Sequence, residues 1–260
     1  MLPVGFAGVE AQLWLWLIEM IRPGAAFFAA PIFGTRAVPV QIRLILSLAI
    51  GMAAMNSVEF RMPEGGIMSA AGVLLVMGEV LAGLAMGFAL QIGYAAAFVA
   101  GEAIGNTMGL GFASMVDPQS GQSTQVIGQF LSILATLLLL SMDGHLLLAS
   151  YVVQSYQAMP PGGVSLSNDA IFGLVQFGGA LLGAGLTVAL PVGFSLVLIQ
   201  LVMGMLGRSA PALNLFAVGM PMALITGLVL LAMTAPIMGQ GLMDALRQGL
   251  DQARILAGGR

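Results

Sequence analysis

From Ala170 to Gly207 the chain runs for 38 residues without a charged side chain, and Ser209 to Met243 adds 35 more. About 20 apolar residues are enough to carry a helix across a hydrocarbon core, so each run exceeds one straight crossing. Lipid offers no hydrogen bonds to exposed backbone, which leaves the α-helix as the natural state of such runs. Arg208 and Pro211 stand between them, a pattern that predicts one long helical hairpin with a short turn. The composition agrees: 7% of residues are charged, against about 25% in soluble domains. The expected fold class is all-α, built from long, kinked, mostly apolar helices and hairpins associated with a membrane.

Earlier in the chain, apolar blocks span about 11–30, 40–58, 67–100, 126–142 and 146–159. Trp14 and Trp16 open the first block, as interface anchors or as core aromatics. Glu19 and Arg22 are three residues apart and are expected to neutralise each other on one helix. Pro23 and Pro31 are expected to kink or break that helix. Residues 59–66 form a polar loop, Asp143-Gly144-His145 interrupts the fourth block, and Pro160-Pro161-Gly162-Gly163 is the strongest break. Ser167 or Asn168 is expected to cap the next helix. Pro191, Pro221 and Pro236 allow bends. No basic residue precedes Arg22, which argues against a signal peptide. Three arginines in the tail after Asp244 place it in the cytoplasm by the positive-inside rule.

The third block carries small residues at every fourth position: Ala85, Ala89, Gly93, Ala97, Gly101, Gly105 and Gly109. Such spacing lets helix backbones approach closely. Each step of four advances about 400°, so the row drifts about 40° per step and several crossing neighbours are needed to use all of it. The same row leads into Gly101–Gly121, GEAIGNTMGLGFASMVDPQSG, which resembles neither flanking block. Its glycines weaken a helix, and Pro118 pushes Asp117 out of helical geometry. An irregular, adaptable loop is expected here, and irregular backbone at membrane depth survives where protein buries it or where it lines a cavity.

The sequence contains no catalytic constellation. There is no cysteine, a single histidine and no lysine, which excludes disulfides and cysteine- or histidine-rich metal sites. The net charge of −3 is not a nucleic-acid footprint. His145 beside Asp143 lacks any nucleophile motif and reads as a turn or interface residue. Glu79 and Glu102 lie in apolar surroundings, where a carboxylate either relays protons or is satisfied by hydrogen bonds from a neighbouring chain. Most of the 19 methionines are flexible core fillers.

Three stretches carry a resemblance to a known family. The run GLGFASMVDPQSG, followed by Asp143-Gly144-His145 and the Ser155 to Pro160 end of its block, resembles the FliR family of flagellar biosynthetic proteins. Arg208-Ser-Ala-Pro211-Ala-Leu-Asn214-Leu-Phe216-Ala-Val-Gly219-Met-Pro221 is similar to the family signature RxxPxxNxFxxGxP. The run from Arg22 to Arg43, RPGAAFFAAPIFGTRAVPVQIR, also fits. Leu146 stands where the family often has a second histidine or an aromatic. Gly219 and the central loop favour the flagellar over the injectisome branch.

The resemblance implies a non-enzymatic subunit of a type III secretion export gate, without a cofactor. Such a chain folds as part of a helically arranged hetero-oligomer with FliP-like and FliQ-like subunits. An FlhB-like switch protein meets the cytoplasmic mouth, and unfolded substrates pass through. It implies a bacterial inner-membrane, basal-body location with part of the assembly raised toward the periplasm. Residues 1–165 would be a FliP-like part and 166–260 a FliQ-like hairpin with a polar tail. Residues 105–122 match the loop that plugs the closed channel. Gly105, Gly109, Gly111 and Gly121 would act as hinges, Met108, Phe112 and Met115 as the apolar seal, and Asp117-Pro118 as its turn. Gly93, Gly101, Arg208, Pro211, Asn214, Phe216, Gly219 and Pro221 would serve packing and assembly. The alternative is a proton-coupled or small-solute transporter using Glu79 and Glu102.

Overall fold

The computed structural model describes residues 7–55, 66–111, 126–162, 166–209 and 215–258. Among these residues the chain is all-α, with seven helices and no strand. They are α1 (Ala7–Ala29), α2 (Val40–Met55), α3 (Ala70–Thr107), α4 (Val126–Ser141), α5 (Gly144–Ala158), α6 (Asn168–Ser209) and α7 (Leu215–Leu256). Three described helices are long and apolar enough to cross a membrane: α3, α6 and the 219–256 portion of α7. Helices of 38 and 42 residues extend about 57 and 63 Å, roughly twice a hydrocarbon core of about 30 Å. The chain divides into two compact units, each assembled from separated segments.

Unit 1 comprises Met1–Gly93, Leu139–Gly178 and Arg247–Arg260. Its helices meet backbone to backbone. A Cβ on Gly83 would overlap the Arg22 carbonyl, one on Gly87 the Ala26 carbonyl, and one on Gly51 the Glu19 carbonyl. Gly83 and Gly87 are four apart, on one face of α3, and α1 lies along that face. Ile18, Ala26 and Phe27 of α1 and Ala82, Met86 and Leu90 of α3 are buried around these contacts.

Pro23 lies inside α1 without ending it. The expected break comes instead after Ala29, where Ile32 takes a φ of 70° and the Gly34 N–H donates to the Ala30 carbonyl at 2.9 Å. A Cβ at Gly34 would lie 2.6 and 2.7 Å from the Phe28 and Ala30 carbonyl oxygens, so only glycine fits. Pro39 precedes α2, and its carbonyl accepts from the Ile42 and Arg43 N–H groups. The Arg43 guanidinium reaches back to donate to the Thr35 and Val38 carbonyls and ties the turn to α2.

The Asp143-Gly144 interruption is a bend of 62° between α4 and α5. Asp143 adopts a left-handed φ of 54°, a conformation that aspartate tolerates better than most residues. Gly144 packs on Leu139, leaving no room for a side chain. At the start of α6 the Ser167 hydroxyl accepts from the Ala170 N–H at 3.1 Å, so Ser167 is the cap.

Unit 2 comprises Tyr94–Leu138 and Gly179–Leu246. Its core joins Ala97, Ala100 and Ile104 of α3 to Leu131 and Ala135 of α4, Val192 and Leu196 of α6, and Met238 and Leu242 of α7. A Cβ on Gly101 would overlap the Gly128 backbone, so α3 and α4 cross in direct contact. The Tyr94 hydroxyl donates to the Ser132 carbonyl at 2.9 Å along the same crossing. The expectation of irregular structure from Gly101 onward is corrected here, because α3 continues helically to Thr107. Glycine costs a helix up to about 1 kcal/mol, and the close crossing at Gly128 offsets that cost.

Overfilling a tight core costs about 1–3 kcal/mol. Gly83→Val is therefore expected to lower the unfolding temperature of the detergent-solubilised protein by several degrees. Gly179→Ala, at an open position inside α6, is expected to leave it unchanged or raise it slightly.

Candidate functional site

The first candidate site is a buried clasp in unit 1. Arg22 is fully buried. Its Nε and Nη2 donate to Oε2 and Oε1 of Glu79, both at 2.9 Å. Its Nη1 donates to the Ser155 hydroxyl and its Nη2 also to the Met159 carbonyl, each at 2.9 Å. The guanidinium carbon lies 4.1 Å from the centroid of the Tyr156 ring, a cation–π contact. The Tyr156 hydroxyl donates to the Glu19 carbonyl at 3.1 Å. One cation thus joins α1, α3 and α5, and it also caps the C-terminal end of α5, where helix carbonyls favour positive charge.

The expected Glu19–Arg22 pair does not form. Arg22 takes Glu79 instead, because a carboxylate on the facing helix accepts both tines of the guanidinium fork. Glu79 is accordingly satisfied within its own chain, not by a neighbouring one. Glu19 is buried, and its Oε2 has no hydrogen-bond partner among the described residues. Glu102 is half-buried and belongs to the other unit.

The second candidate site is where α3 stops and the central segment begins. The Leu110 N–H donates to the Gly105 carbonyl at 3.0 Å and the Gly109 N–H to the Asn106 carbonyl at 3.1 Å. Gly109 has a φ of 82°. This is a Schellman ending, which requires a left-handed residue at the position Gly109 holds. Gly105 is still helical. Met108 is 1% exposed and packs into the core of unit 2. Where the chain is described again, a cavity of about 460 Å³ opens between Val126, Ile127, Phe130, Leu131 and Leu134 of α4 and Leu228, Leu231, Ala232, Ala235 and Met238 of α7. All its lining side chains are apolar.

The remaining sequence-singled residues scatter. Phe112, Met115, Asp117, Pro118, Gly121, Pro211 and Asn214 lie outside the described residues, and Gly111 is the last one before that gap. Phe216 is the second residue of α7. Arg208 is exposed at the end of α6, Pro221 is exposed inside α7, and Gly219 faces open space. Gly93 is buried, and a Cβ on Gly249 would lie 3.4 Å from its Cα. His145 is half-buried in the first turn of α5, with Nδ1 unpartnered among the described residues. Sequence reasoning missed the roles of Ser155, Tyr156 and Met159 around Arg22. It also missed Gly83 and Gly87, whose spacing of four from each other and from Glu79 marks one helix face.

Residues 13–249 match the family described as bacterial export proteins, family 1. The chain belongs to the FliR family of bacterial export proteins. It is 35% identical to the flagellar biosynthetic protein FliR of Escherichia coli K12 over 234 residues, covering 88% of this chain and 89% of the relative. It is 36% identical to FliR of Pectobacterium carotovorum, covering 85% and 86%. FliR of Caulobacter vibrioides is 32% identical, covering 92% and 96%. Both candidate sites lie within the stretch matched to the export family.

Removing one partner of a buried ion pair costs about 3–5 kcal/mol, whereas replacing both by apolar groups is often neutral. Arg22→Met in this FliR-family chain is therefore expected to destabilise it by that amount, and Arg22→Met with Glu79→Met to recover most of the loss. Denaturant titration of the purified protein measures both; a single variant as stable as wild type would remove the clasp from the account.

Proposed function

We propose that the chain is a non-enzymatic core subunit of the flagellar type III export gate, where it helps to form and close the protein-conducting channel. The observation that carries this reading is the family match along almost the whole chain, together with relatives named as flagellar biosynthetic proteins. Three features support it. The long apolar helices outrun a bilayer, as helices rising above the membrane plane would. Large apolar side chains such as Phe172, Leu186, Phe194 and Leu201 are exposed along α6, available to lipid or to other subunits. The described part of the central segment leaves α3 through a glycine-dependent ending.

In this reading FliP-like and FliQ-like subunits complete the assembly in the inner membrane at the flagellar basal body. An FlhB-like protein meets its cytoplasmic mouth, and part of the assembly is raised toward the periplasm. Residues 1–165 act as the FliP-like part and 166–260 as the FliQ-like hairpin. The central segment blocks the channel to ions until an unfolded substrate displaces it. Gly109 and Gly111 let the backbone turn, and Phe112 and Met115 supply apolar surface. The proton-relay alternative has less support, because both carboxyl oxygens of Glu79 are engaged by Arg22.

Replacing residues 112–122 by a flexible Gly/Ser linker is expected to raise ion leak through the reconstituted assembly several-fold. Conductance equal to wild type would contradict the channel-closing role.

A further inference from the structure

We propose that Gln200 and Gly227, neither of them singled out by the sequence, are positioning residues that clamp the end of α3 and so set where the central segment departs. The last carbonyls of a helix have no partner within it. Here the carbonyls of Ile104, Gly105 and Asn106 accept from the N–H groups of Met108, Leu110 and Gly109. The Thr107 carbonyl accepts from outside, from Nε2 of Gln200 on α6 at 2.7 Å. The next residue, Met108, drops its side chain against Gly227 of α7. A Cβ built on Gly227 would stand 2.7 Å from Met108 Cγ and Cε and 2.9 Å from its sulfur. Those contacts include the root of the side chain, and Met108 is 1% exposed, so it has nowhere to swing. All four residues belong to unit 2.

The two holds are of different kinds. Gln200 is exposed and supplies direction through one hydrogen bond. Gly227 supplies a notch that only glycine leaves open, filled by a side chain that conforms to irregular gaps. Gly109, one residue beyond, turns the chain away through its left-handed ending. The exit of α3 is therefore held by α6 on one residue and by α7 on the next. A shift of either helix moves Thr107 or Met108 and, with them, Gly109 and Leu110. The consequence for channel closing rests on the function proposed above; the clamp itself does not.

The test is amide hydrogen exchange on the full chain in its native membrane assembly, read at Gly109 and Leu110, with substrate-free conductance measured on the same preparations. Gly227→Val is expected to speed exchange there about tenfold or more, and adding Met108→Ala to restore protection by clearing the notch. Gln200→Ala, on an exposed face that leaves the core intact, is expected to speed exchange several-fold and keeps the test open where Gly227→Val fails to assemble. Wild-type protection in both Gly227→Val and Gln200→Ala would overturn the clamp, as would failure of Met108→Ala to rescue an assembled Gly227→Val. Faster exchange with raised conductance supports the clamp and its role in closing. Faster exchange without any leak supports the clamp and contradicts the channel-closing reading.

Discussion

The bidentate bond between Arg22 and Glu79 is the contact on which unit 1 depends. A guanidinium cannot give up its charge inside a protein, so burying it obliges the fold to surround it with acceptors. Glu79, Ser155 and the Met159 carbonyl meet that demand, and Tyr156 covers its face. These groups come from α3, α5 and the residue that ends α5. The position of α1 against both helices follows from the chemistry of one side chain. The pair is also electrically neutral, which lessens the cost of burying both groups.

Within each unit, helices approach through missing side chains. Gly83 and Gly87 admit the backbone of α1, Gly51 admits Glu19, and Gly101 meets Gly128. In lipid the hydrophobic effect does not drive helices together, so close van der Waals contact and interhelical hydrogen bonds carry the association. The Tyr94 to Ser132 bond at the α3–α4 crossing fits that rule. Proline is tolerated within α1, α6 and α7, as it is in apolar helices whose freed carbonyls find other donors.

Most of the fold was legible in the sequence. The uncharged runs predicted α6 and α7, and the Asp143-Gly144 and Pro160-Pro161 interruptions predicted the bend and the break. Element boundaries were less legible where glycine served packing instead of flexibility, as at Gly101. The Arg22–Glu79 pair was not legible, because its partners are 57 residues apart and the nearer Glu19 competes on spacing alone. Likewise Gln200 and Gly227 matter only through what they meet, and nothing in their local pattern marks them. Family membership was the reverse case, readable from three separated runs before any geometry was known.

We propose that this chain works as one member of a hetero-oligomeric export gate. The most direct measurement is the intact mass of the tagged chain extracted from its native membrane in mild detergent, with each subunit identified. The account predicts a discrete complex holding one copy of this chain with several copies of two other small apolar proteins. A monomer, or an oligomer of this chain alone, would contradict it.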